Sequence, residues 1–147
     1  MKEERVNSIN LEKDREIITA IVKEMAGSMS GEQSTRHWAP DTIWFDIPAF
    51  ASKGIKPASQ FFDKAFGGLK SCRIDILEME TVINGDLGLV MMVQRINTIS
   101  KDGTVNNPLM VRQTDCFERR NGEWKVIHEH TSAPKGTDEW DGKIITE

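Results

Sequence analysis

The sequence predicts an α+β fold in which helices come first and pack on the concave face of a cone-shaped, curved antiparallel sheet. Apolar residues recur at helical spacing between Leu11 and Met29. The second half of the chain alternates apolar and polar residues in long runs rich in Val, Ile and Met, as strands do. Because the helical segments precede these strands instead of alternating with them, the pattern is that of an α+β domain. The mouth of such a cone is a candidate cavity.

The first helix is predicted from Leu11 to Met29, with Gly27 as a stop near its end. Ser30 and Gln33 have the spacing of a capping box, which predicts a second, short helix. That helix must end before Pro40, because the residue ahead of a proline avoids the α region.

A strand, a third helix and a four-stranded meander complete the predicted elements. The strand covers Thr42–Ile47, where residues alternate, and the helix covers Pro57–Phe66, ahead of two glycines. A phase shift at Leu77 indicates a β-bulge in the first strand of the meander. The strands of the meander are one that contains Ile74, then Leu87–Ser100, Leu109–Arg119 and Trp124–Thr131, with turns at Asn84-Gly85, Lys101-Asp102-Gly103 and Asn121-Gly122.

Length and composition favour one globular domain. The chain has 147 residues, which we divide into a domain over 1–135 and a polar tail over 136–147. The formal net charge of -4 argues against nucleic acid as a partner. No apolar run approaches the ~20 residues of a membrane span, which argues against a membrane partner. The two cysteines, Cys72 and Cys116, lie far apart in no metal-binding spacing, so we expect reduced thiols in a cytoplasmic protein.

Two stretches, Trp44–Pro48 and Arg112–Ser132, resemble the SnoaL-like branch of the nuclear transport factor 2 / ketosteroid isomerase superfamily. The segment Gly-x-Trp-Lys-Val-Ile-His-x-His-x-Ser, from Gly122 onward, is the most specific part of the resemblance. The resemblance implies a cystatin-like α+β barrel with a deep pocket for a small molecule, usually in a homodimer and without an organic cofactor. It does not imply one reaction, because the superfamily includes isomerases, dehydratases, cyclases, hydrolases and pure binding domains.

The last two strands carry the main candidates for chemistry. Strand alternation places His128 and His130 on one face with Trp124 and Val126. If this face lines the pocket, as the resemblance implies, the two histidines share a wall with Asp115. A carboxylate beside an imidazole fixes its tautomer, and an imidazole gains or loses a proton near neutral pH. The alternative is that both histidines make structural hydrogen bonds only.

Asp46 is a second candidate base. In ketosteroid isomerase the proton-abstracting carboxylate lies close to this place, but directly before a proline, whereas Ile47 separates Asp46 from Pro48. A slip of one residue turns a side chain to the other sheet face, so Asp46 either faces the pocket or caps a turn. By the same resemblance, Asp115 corresponds to the protonated acid of that enzyme. The chain has no tyrosine to complete its oxyanion hole, which argues against a faithful steroid isomerase.

Aromatic, methionine and arginine residues form the predicted ligand-binding set. Trp44 and Phe45 are adjacent on a strand, so at most one of them points inward. Arg95 stands among Val and Ile and shares its face with Met91; it pairs with a buried acid, binds an anionic ligand or lies at a dimer interface. The predicted ligand-binding residues are Trp38, Trp44, Phe62, Met91, Arg95 and Phe117.

Together these features predict a pocket protein for a small, partly apolar organic ligand. If it is an enzyme, we expect cofactor-independent proton transfer of the isomerase, cyclase or dehydratase type. The alternative is a non-catalytic ligand-binding or oligomerisation domain. His128, His130 and Asp115 could also hold a divalent metal, but a two-residue spacing on a strand is common, so we predict no metal site.

Overall fold

The computed structural model describes residues 2–47, 50–134 and 140–147, with the side chains of residues 4–9 left undescribed. Three helices precede or interrupt the sheet: α1 (Lys2–Ala26), α2 (Gly31–Thr35) and α3 (Ile55–Gly67). The six strands are β1 (Trp38–Asp46), β2 (Phe50–Lys53), β3 (Leu69–Asn84), β4 (Leu87–Ser100), β5 (Leu109–Arg120) and β6 (Glu123–Ser132). As the capping-box spacing predicts, the Ser30 side chain accepts a hydrogen bond from the Gln33 backbone at the start of α2.

All six strands form one curved sheet in the order β2-β1-β6-β5-β4-β3. The predicted meander is confirmed as β3 to β6, in which each strand is antiparallel to the next. The sequence analysis missed β2 and the parallel pairing of β1 with β6. The sheet is not closed into a barrel, because β2 and β3 remain its two edges. The predicted α+β class and the predicted curved sheet are therefore confirmed, whereas the predicted barrel is wrong because the sheet is open.

Two β-bulges decide which side chains face the helices. The predicted bulge at Leu77 is confirmed, since the register of β3 against β4 shifts there. A second bulge lies in β6, where Val126 pairs with Phe117 and His128 pairs with Cys116. One residue, Ile127, is therefore extra on β6 and reverses the inward and outward alternation of everything after it.

The concave face of the sheet, called here the inner face, packs against α1 and α3. Ile18 and Val22 of α1 and Ala58 of α3 are buried against this face. Across it runs a row of paired positions that starts at Trp44 of β1 and continues through β6 and β5 to Val90 of β4. The opposite, outer face carries a parallel row on the same strands that includes Phe45 and Met91. Cavity and core both lie on the inner side.

An ion-pair cluster attaches α1 to the hairpin of β5 and β6. Arg119 of β5 donates two hydrogen bonds of 2.8 Å to the carboxylate of Asp14, and the Trp124 indole donates a third at 3.1 Å. The Arg119 guanidinium also lies 4.5 Å from the centre of the Trp124 ring. These bonds hold the pKa of Asp14 below its usual value. α1 is 25 residues long, yet no helix in the described part of the chain is long and apolar enough to cross a membrane.

The C-terminal segment 140–147 lies against the outer face. Gly142 is buried there with φ 78°, and a Cβ at this position would come within 2.2 Å of the Met110 Cε. The contact that fixes the segment is therefore at a glycine. Two residues earlier, the Trp140 indole donates a hydrogen bond of 3.3 Å to the Lys143 carbonyl. Residues 135–139 of the chain, which include the start of the predicted tail, lie outside the described residues.

Candidate functional site

A cavity of about 400 Å³ opens between α3 and the inner face of the sheet. Its wall is mainly apolar, and no Lys, Arg or His is among the described residues that line it. Three rings of α3, Phe61, Phe62 and Phe66, form one side. The polar lining residues are Asp46, Cys72, Gln94, Thr98, Gln113, Glu129 and Thr131.

The polar end of the cavity is built on a pair of buried carboxyl groups. Asp115 of β5 and Glu129 of β6 are directly paired across the two strands, and they are 0% and 6% exposed. The Gln113 amide bridges them, because its Nε2 lies 3.3 Å from both carboxylate oxygens of Asp115 and 3.0 Å from the Oε1 of Glu129. The Thr131 hydroxyl donates to the Gln113 Oε1 at 3.0 Å and so fixes the orientation of the amide.

Burial makes this pair retain a proton. Removal from water raises the pKa of Asp115 to about 6, although hydrogen bonds from Glu129 and Gln113 oppose the rise. Removal from water, followed by the negative charge of Asp115, raises the pKa of Glu129 well above its usual value. Two carboxyls this close cannot both ionise readily, so the pair holds a proton to higher pH than exposed carboxyls do. The cavity therefore contains a carboxyl group that is a weaker acid than an exposed glutamate.

Asp46 lies at the end of β1 and lines the same cavity. Its Oδ1 accepts a hydrogen bond of 2.8 Å from the backbone N–H of Ile47. Burial raises its pKa, and this hydrogen bond opposes the rise. The negative charge of Asp46 contributes to the raised pKa of Glu129, so the two groups act on each other electrostatically. Of the two alternatives left open by the sequence, the described residues support the first, because Asp46 lines the cavity.

The predicted aromatic residues divide into wall and core. Trp44 and Phe62 line the cavity and stack with ring centres 4.7 Å apart. Trp38 is buried behind them, with its ring edge-on to both. Phe117 is fully buried in the core and is not a lining residue. As predicted, only one of the neighbours Trp44 and Phe45 points inward, since Phe45 is exposed on the outer face.

The two histidines do not share a wall with Asp115, and the sequence expectation on this point is wrong. The bulge at Ile127 turns His128 and His130 to the outer face, where both pack against the Phe45 ring at 5.0 and 5.5 Å. His128 Nδ1 lies 2.7 Å from the Ile43 carbonyl oxygen, to which it donates when it carries the proton. His128 therefore makes the structural hydrogen bond that the sequence analysis gave as the alternative to a catalytic role.

Met91 and Arg95 are on the outer face as well, which contradicts their prediction as ligand-binding residues of the inner pocket. Met91 is paired with Thr114, which is paired with His130, and all three line an outer groove beneath the C-terminal segment. Arg95 shares the face of Met91, as strand parity predicted, and its register partner on β3 is Asp75. The parity was therefore right, but the wrong face was assigned to the pocket.

The metal set considered from the sequence is not assembled. His128 and His130 are separated from Asp115 by the thickness of the sheet, so these three residues cannot share one ion. Within residues 2–47, 50–134 and 140–147, no group of three or more His, Cys, Asp and Glu side chains is placed to hold a metal ion.

Glu129 and Gln113 are the site residues that sequence reasoning missed. Glu129 stands between the two histidines in sequence, and simple alternation assigned it to the solvent side. The available signal was the apolar pair Val126-Ile127, which breaks the alternation of β6 as Ile76-Leu77 breaks that of β3.

Comparisons with known proteins agree with this geometry. The family model of the SnoaL-like domain matches residues 16–136. An NTF2-like protein with a cystatin-like fold from Novosphingobium aromaticivorans is 16% identical, with a TM-score of 0.75 over 89% of this chain and 88% of that one. An NTF2-like superfamily protein from Salmonella enterica is 15% identical, with a TM-score of 0.75 over 90% of this chain and 99% of that one.

A provisionally assigned dehydratase of the NTF2-like family from Streptomyces avermitilis is 15% identical, with a TM-score of 0.73 over 84% of this chain and 97% of that one. At these identities the likenesses show the fold alone. No curated protein matches the sequence. The family match spans most of the chain and coincides with the elements that build the cavity, and the chain therefore belongs to the SnoaL-like family, with the cystatin-like fold of NTF2-like proteins.

Proposed function

We propose that the inner cavity binds a small, partly apolar organic molecule and catalyses cofactor-independent proton transfer of the isomerase, cyclase or dehydratase type. The observation that carries this proposal is the combination, in one aromatic cavity, of a carboxylate with a carboxyl pair that retains a proton. Proton transfer at carbon needs a base and an acid that differ in protonation at the same pH, and different environments create that difference.

In this proposal Asp46 takes a proton from the carbon next to a carbonyl group. Its raised pKa makes it a stronger base than an exposed aspartate, and it lies on the apolar wall where a ring would bind. Glu129 supplies the proton or hydrogen bond that the ligand oxygen needs as charge develops on it. Asp115 and Gln113 hold Glu129 in place and set its protonation, so they act through Glu129 and not on the ligand itself.

Deuterium exchange of a ketone tests the proposal. We expect the protein to accelerate exchange of the α-protons of 2-tetralone in D₂O, followed by proton NMR, and Asp46→Asn to reduce the acceleration by roughly 10²–10⁴-fold. Asp41→Asn is the matched control, because Asp41 is on the same strand but is exposed and paired with Arg120. It should leave the exchange rate unchanged.

Two results would count against catalysis. Equal exchange rates in the Asp46→Asn variant and the wild type would remove Asp46 as the base. Binding of 2-tetralone without any acceleration of exchange would favour the second candidate, a binding-only domain, in which the buried carboxyls serve ligand recognition.

We also propose that the protein is a homodimer that associates through the outer face. On that face β1 and β4 expose three apolar side chains, those of Ile43, Phe45 and Met91. Removing these side chains from water by contact with a second copy is energetically favourable. A two-fold axis would set this patch against the same patch of a second copy.

The remaining proposals concern the cellular compartment of the protein and the boundary of its domain. Cys72 and Cys116 are free, half-buried thiols, which supports a reducing compartment such as the cytoplasm. Subcellular fractionation tests this localisation. We also propose 1–135 as the domain and 136–147 as an appended tail, a boundary that limited proteolysis tests.

A further inference from the structure

We propose that the ligand of the inner cavity carries a neutral hydroxyl group, which binds in a small adjoining space, the side compartment, between the amide of Gln94 and the hydroxyl of Ser34. The inference deepens the proposed function and rests on it, because it assumes that the inner cavity holds an apolar ring. The class of ligand that it names is a ring compound with a short hydroxyl-bearing substituent, such as a hydroxymethyl group.

The side compartment has a volume of about 70 Å³ and lies beside the inner cavity, next to α1 and α2. It adjoins the cavity because the two spaces share the lining residues Phe62, Phe66, Ile74, Gln94, Gln113 and Glu129. Val22, Met25 and Ala26 of α1 and Ser34 of α2 line the compartment alone. A cavity needs about 10–15 Å³ to hold one water molecule, so the side compartment has room for a substituent of a few atoms.

The Gln94 amide lacks a strong hydrogen-bond partner. Gln94 is 3% exposed and lines both the inner cavity and the side compartment. Among the described residues its amide makes one hydrogen bond, from Nε2 to the Met92 sulfur at 3.6 Å, and sulfur is a weak acceptor. No described residue donates to its Oε1, so this oxygen is left to accept a hydrogen bond from the ligand.

The Ser34 hydroxyl is the second buried polar group of the side compartment. Ser34 is 7% exposed, and its backbone N–H donates to the Ser30 carbonyl, whereas its hydroxyl bonds to no described residue. The neighbouring Thr35 differs, because its hydroxyl donates to the Gly31 carbonyl at 2.7 Å. Folded proteins leave few buried polar groups without a partner, and two of them line this one small space.

The charges around the side compartment favour a neutral group. No Lys, Arg or His is among the described residues that line it. Its carboxyl group, that of Glu129, holds a proton to higher pH than an exposed carboxyl does. A hydroxyl both donates and accepts, so one ligand oxygen would donate to the Gln94 Oε1 and accept from the Ser34 hydroxyl.

Paired ligands and paired variants test the inference. Binding of 2-(hydroxymethyl)naphthalene is compared with binding of 2-ethylnaphthalene, which has nearly the same shape without the hydroxyl. Gln94→Leu removes the amide at similar volume, and Ser34→Ala removes the other partner. We expect each variant to weaken binding of the alcohol by about 3–10-fold, the value of one neutral hydrogen bond, while binding of the hydrocarbon changes by less than about two-fold. If Gln94→Leu does not fold, Ser34→Ala decides alone.

Thr98→Val is the matched control. Thr98 lies four residues after Gln94 on β4 and lines the inner cavity without lining the side compartment. Its hydroxyl already accepts a hydrogen bond of 3.0 Å from the Asn106 amide. This substitution should therefore change the affinity for the alcohol and the hydrocarbon equally.

A further variant locates the substituent. Ala26 lines the side compartment but not the inner cavity, so Ala26→Leu fills the compartment and leaves the cavity open. We expect it to weaken binding of the alcohol at least as much as Gln94→Leu does, and to change binding of unsubstituted naphthalene by less than about two-fold. In NMR spectra the side-chain amide signals of Gln94, identified by their loss in Gln94→Leu, should shift with the alcohol and not with naphthalene.

The outcomes separate this inference from the proposed function. If Gln94→Leu or Ser34→Ala weakens the alcohol and the hydrocarbon equally, or if Thr98→Val causes the same selective loss, the inference is wrong while binding in the cavity stands. The same holds if Ala26→Leu weakens naphthalene as much as the alcohol. If the wild type binds none of the three naphthalenes and does not exchange 2-tetralone, the proposed function itself fails. A loss confined to the alcohol in both variants supports the inference and the proposed function together.

Discussion

At the scale of single residues, the site depends on one proton held between Asp115 and Glu129. The two side chains meet because their positions are paired on neighbouring strands, and the Gln113 amide donates to oxygens of both carboxyl groups. Without this bridge, burying two carboxyl groups in an apolar cavity would cost far more than a packed domain of this size can offset. Burial of this pair therefore lowers the stability of the folded protein, and such burial is typical of functional sites.

The free energy of unfolding should depend on pH because of this proton. A carboxyl whose pKa is higher in the folded than in the unfolded protein binds its proton more tightly when folded. The free energy of unfolding therefore falls as the pH rises from the usual glutamate value of 4.5 through the raised pKa of Glu129. Asp115 adds a fall of the same sign between its usual value of 3.8 and about 6.

Glu129→Gln should flatten this dependence, since glutamine imitates the protonated acid and cannot ionise. We expect the variant to become more stable relative to the wild type as the pH rises above the usual glutamate value, measured by urea unfolding at each pH. Glu80→Gln, at an exposed position of β3, is the control and should follow the wild-type curve. A parallel fall in Glu129→Gln and wild type would show that Glu129 is ionised in the folded protein.

At the scale of elements, the cluster of Asp14, Arg119 and Trp124 links α1 to the hairpin of β5 and β6. Its bonds join segments that are more than a hundred residues apart in sequence, so they form only when the helix is docked on the sheet. The pKa of Asp14 is lowered, so its contribution to stability is present above the unfolded value near 3.8 and is lost as the pH falls through the folded pKa.

Asp14→Asn should therefore lower the free energy of unfolding at pH 7 by about 1–3 kcal/mol, the range for hydrogen bonds to charged groups, and by less at pH 3. Asp86→Asn removes the other carboxylate on Arg119, which is largely exposed, and should cost less than about 1 kcal/mol. Urea unfolding of both variants checks the difference. Equal effects at pH 7 would contradict the assignment of Asp14 as the main link.

The helices and strands also show how much of the fold could be predicted from the sequence. Hydrophobic periodicity and turn residues located three helices, β1 and the four strands of the meander, because these signals are local. The strand β2 has four residues, too few to show a period, and the β1–β6 pairing joins segments about 85 residues apart. The bulge at Ile127 was the decisive omission, because one extra residue exchanged the histidines for Glu129 in the site.

At the scale of the whole molecule, the sheet has two faces with different tasks. The inner face carries the cavity, and the outer face carries the exposed apolar groups that we assign to a dimer. Trp44 and Phe62 line the cavity on the inner side, as the sequence predicted. Asp46, whose direction the sequence left open, lines it too, and Asp115 is buried on the inner face without lining the cavity. Met91 and Arg95 were not, because alternation fixes which residues share a face but not which face meets the helices.

Phe45→Glu should convert the proposed dimer into a monomer of 16.6 kDa at micromolar concentration, measured by sedimentation equilibrium. A charge at the centre of an apolar contact is left without water or a partner, whereas the same charge on a free surface costs little. Val105→Glu, at a residue that is 75% exposed outside the patch, should leave the association state unchanged. Equal masses for wild type and Phe45→Glu would place any interface elsewhere.

The cavity walls also have a consequence for what can enter. Two acidic side chains, Asp46 and Glu129, and no basic one are among the described lining residues, so an incoming carboxylate or phosphate would lose its hydration without a compensating positive charge. The protein would thus discriminate by charge before it discriminates by shape, admitting uncharged compounds and turning away their acids. Oxidation of an aldehyde to its acid would therefore weaken binding to the cavity without any change in the protein.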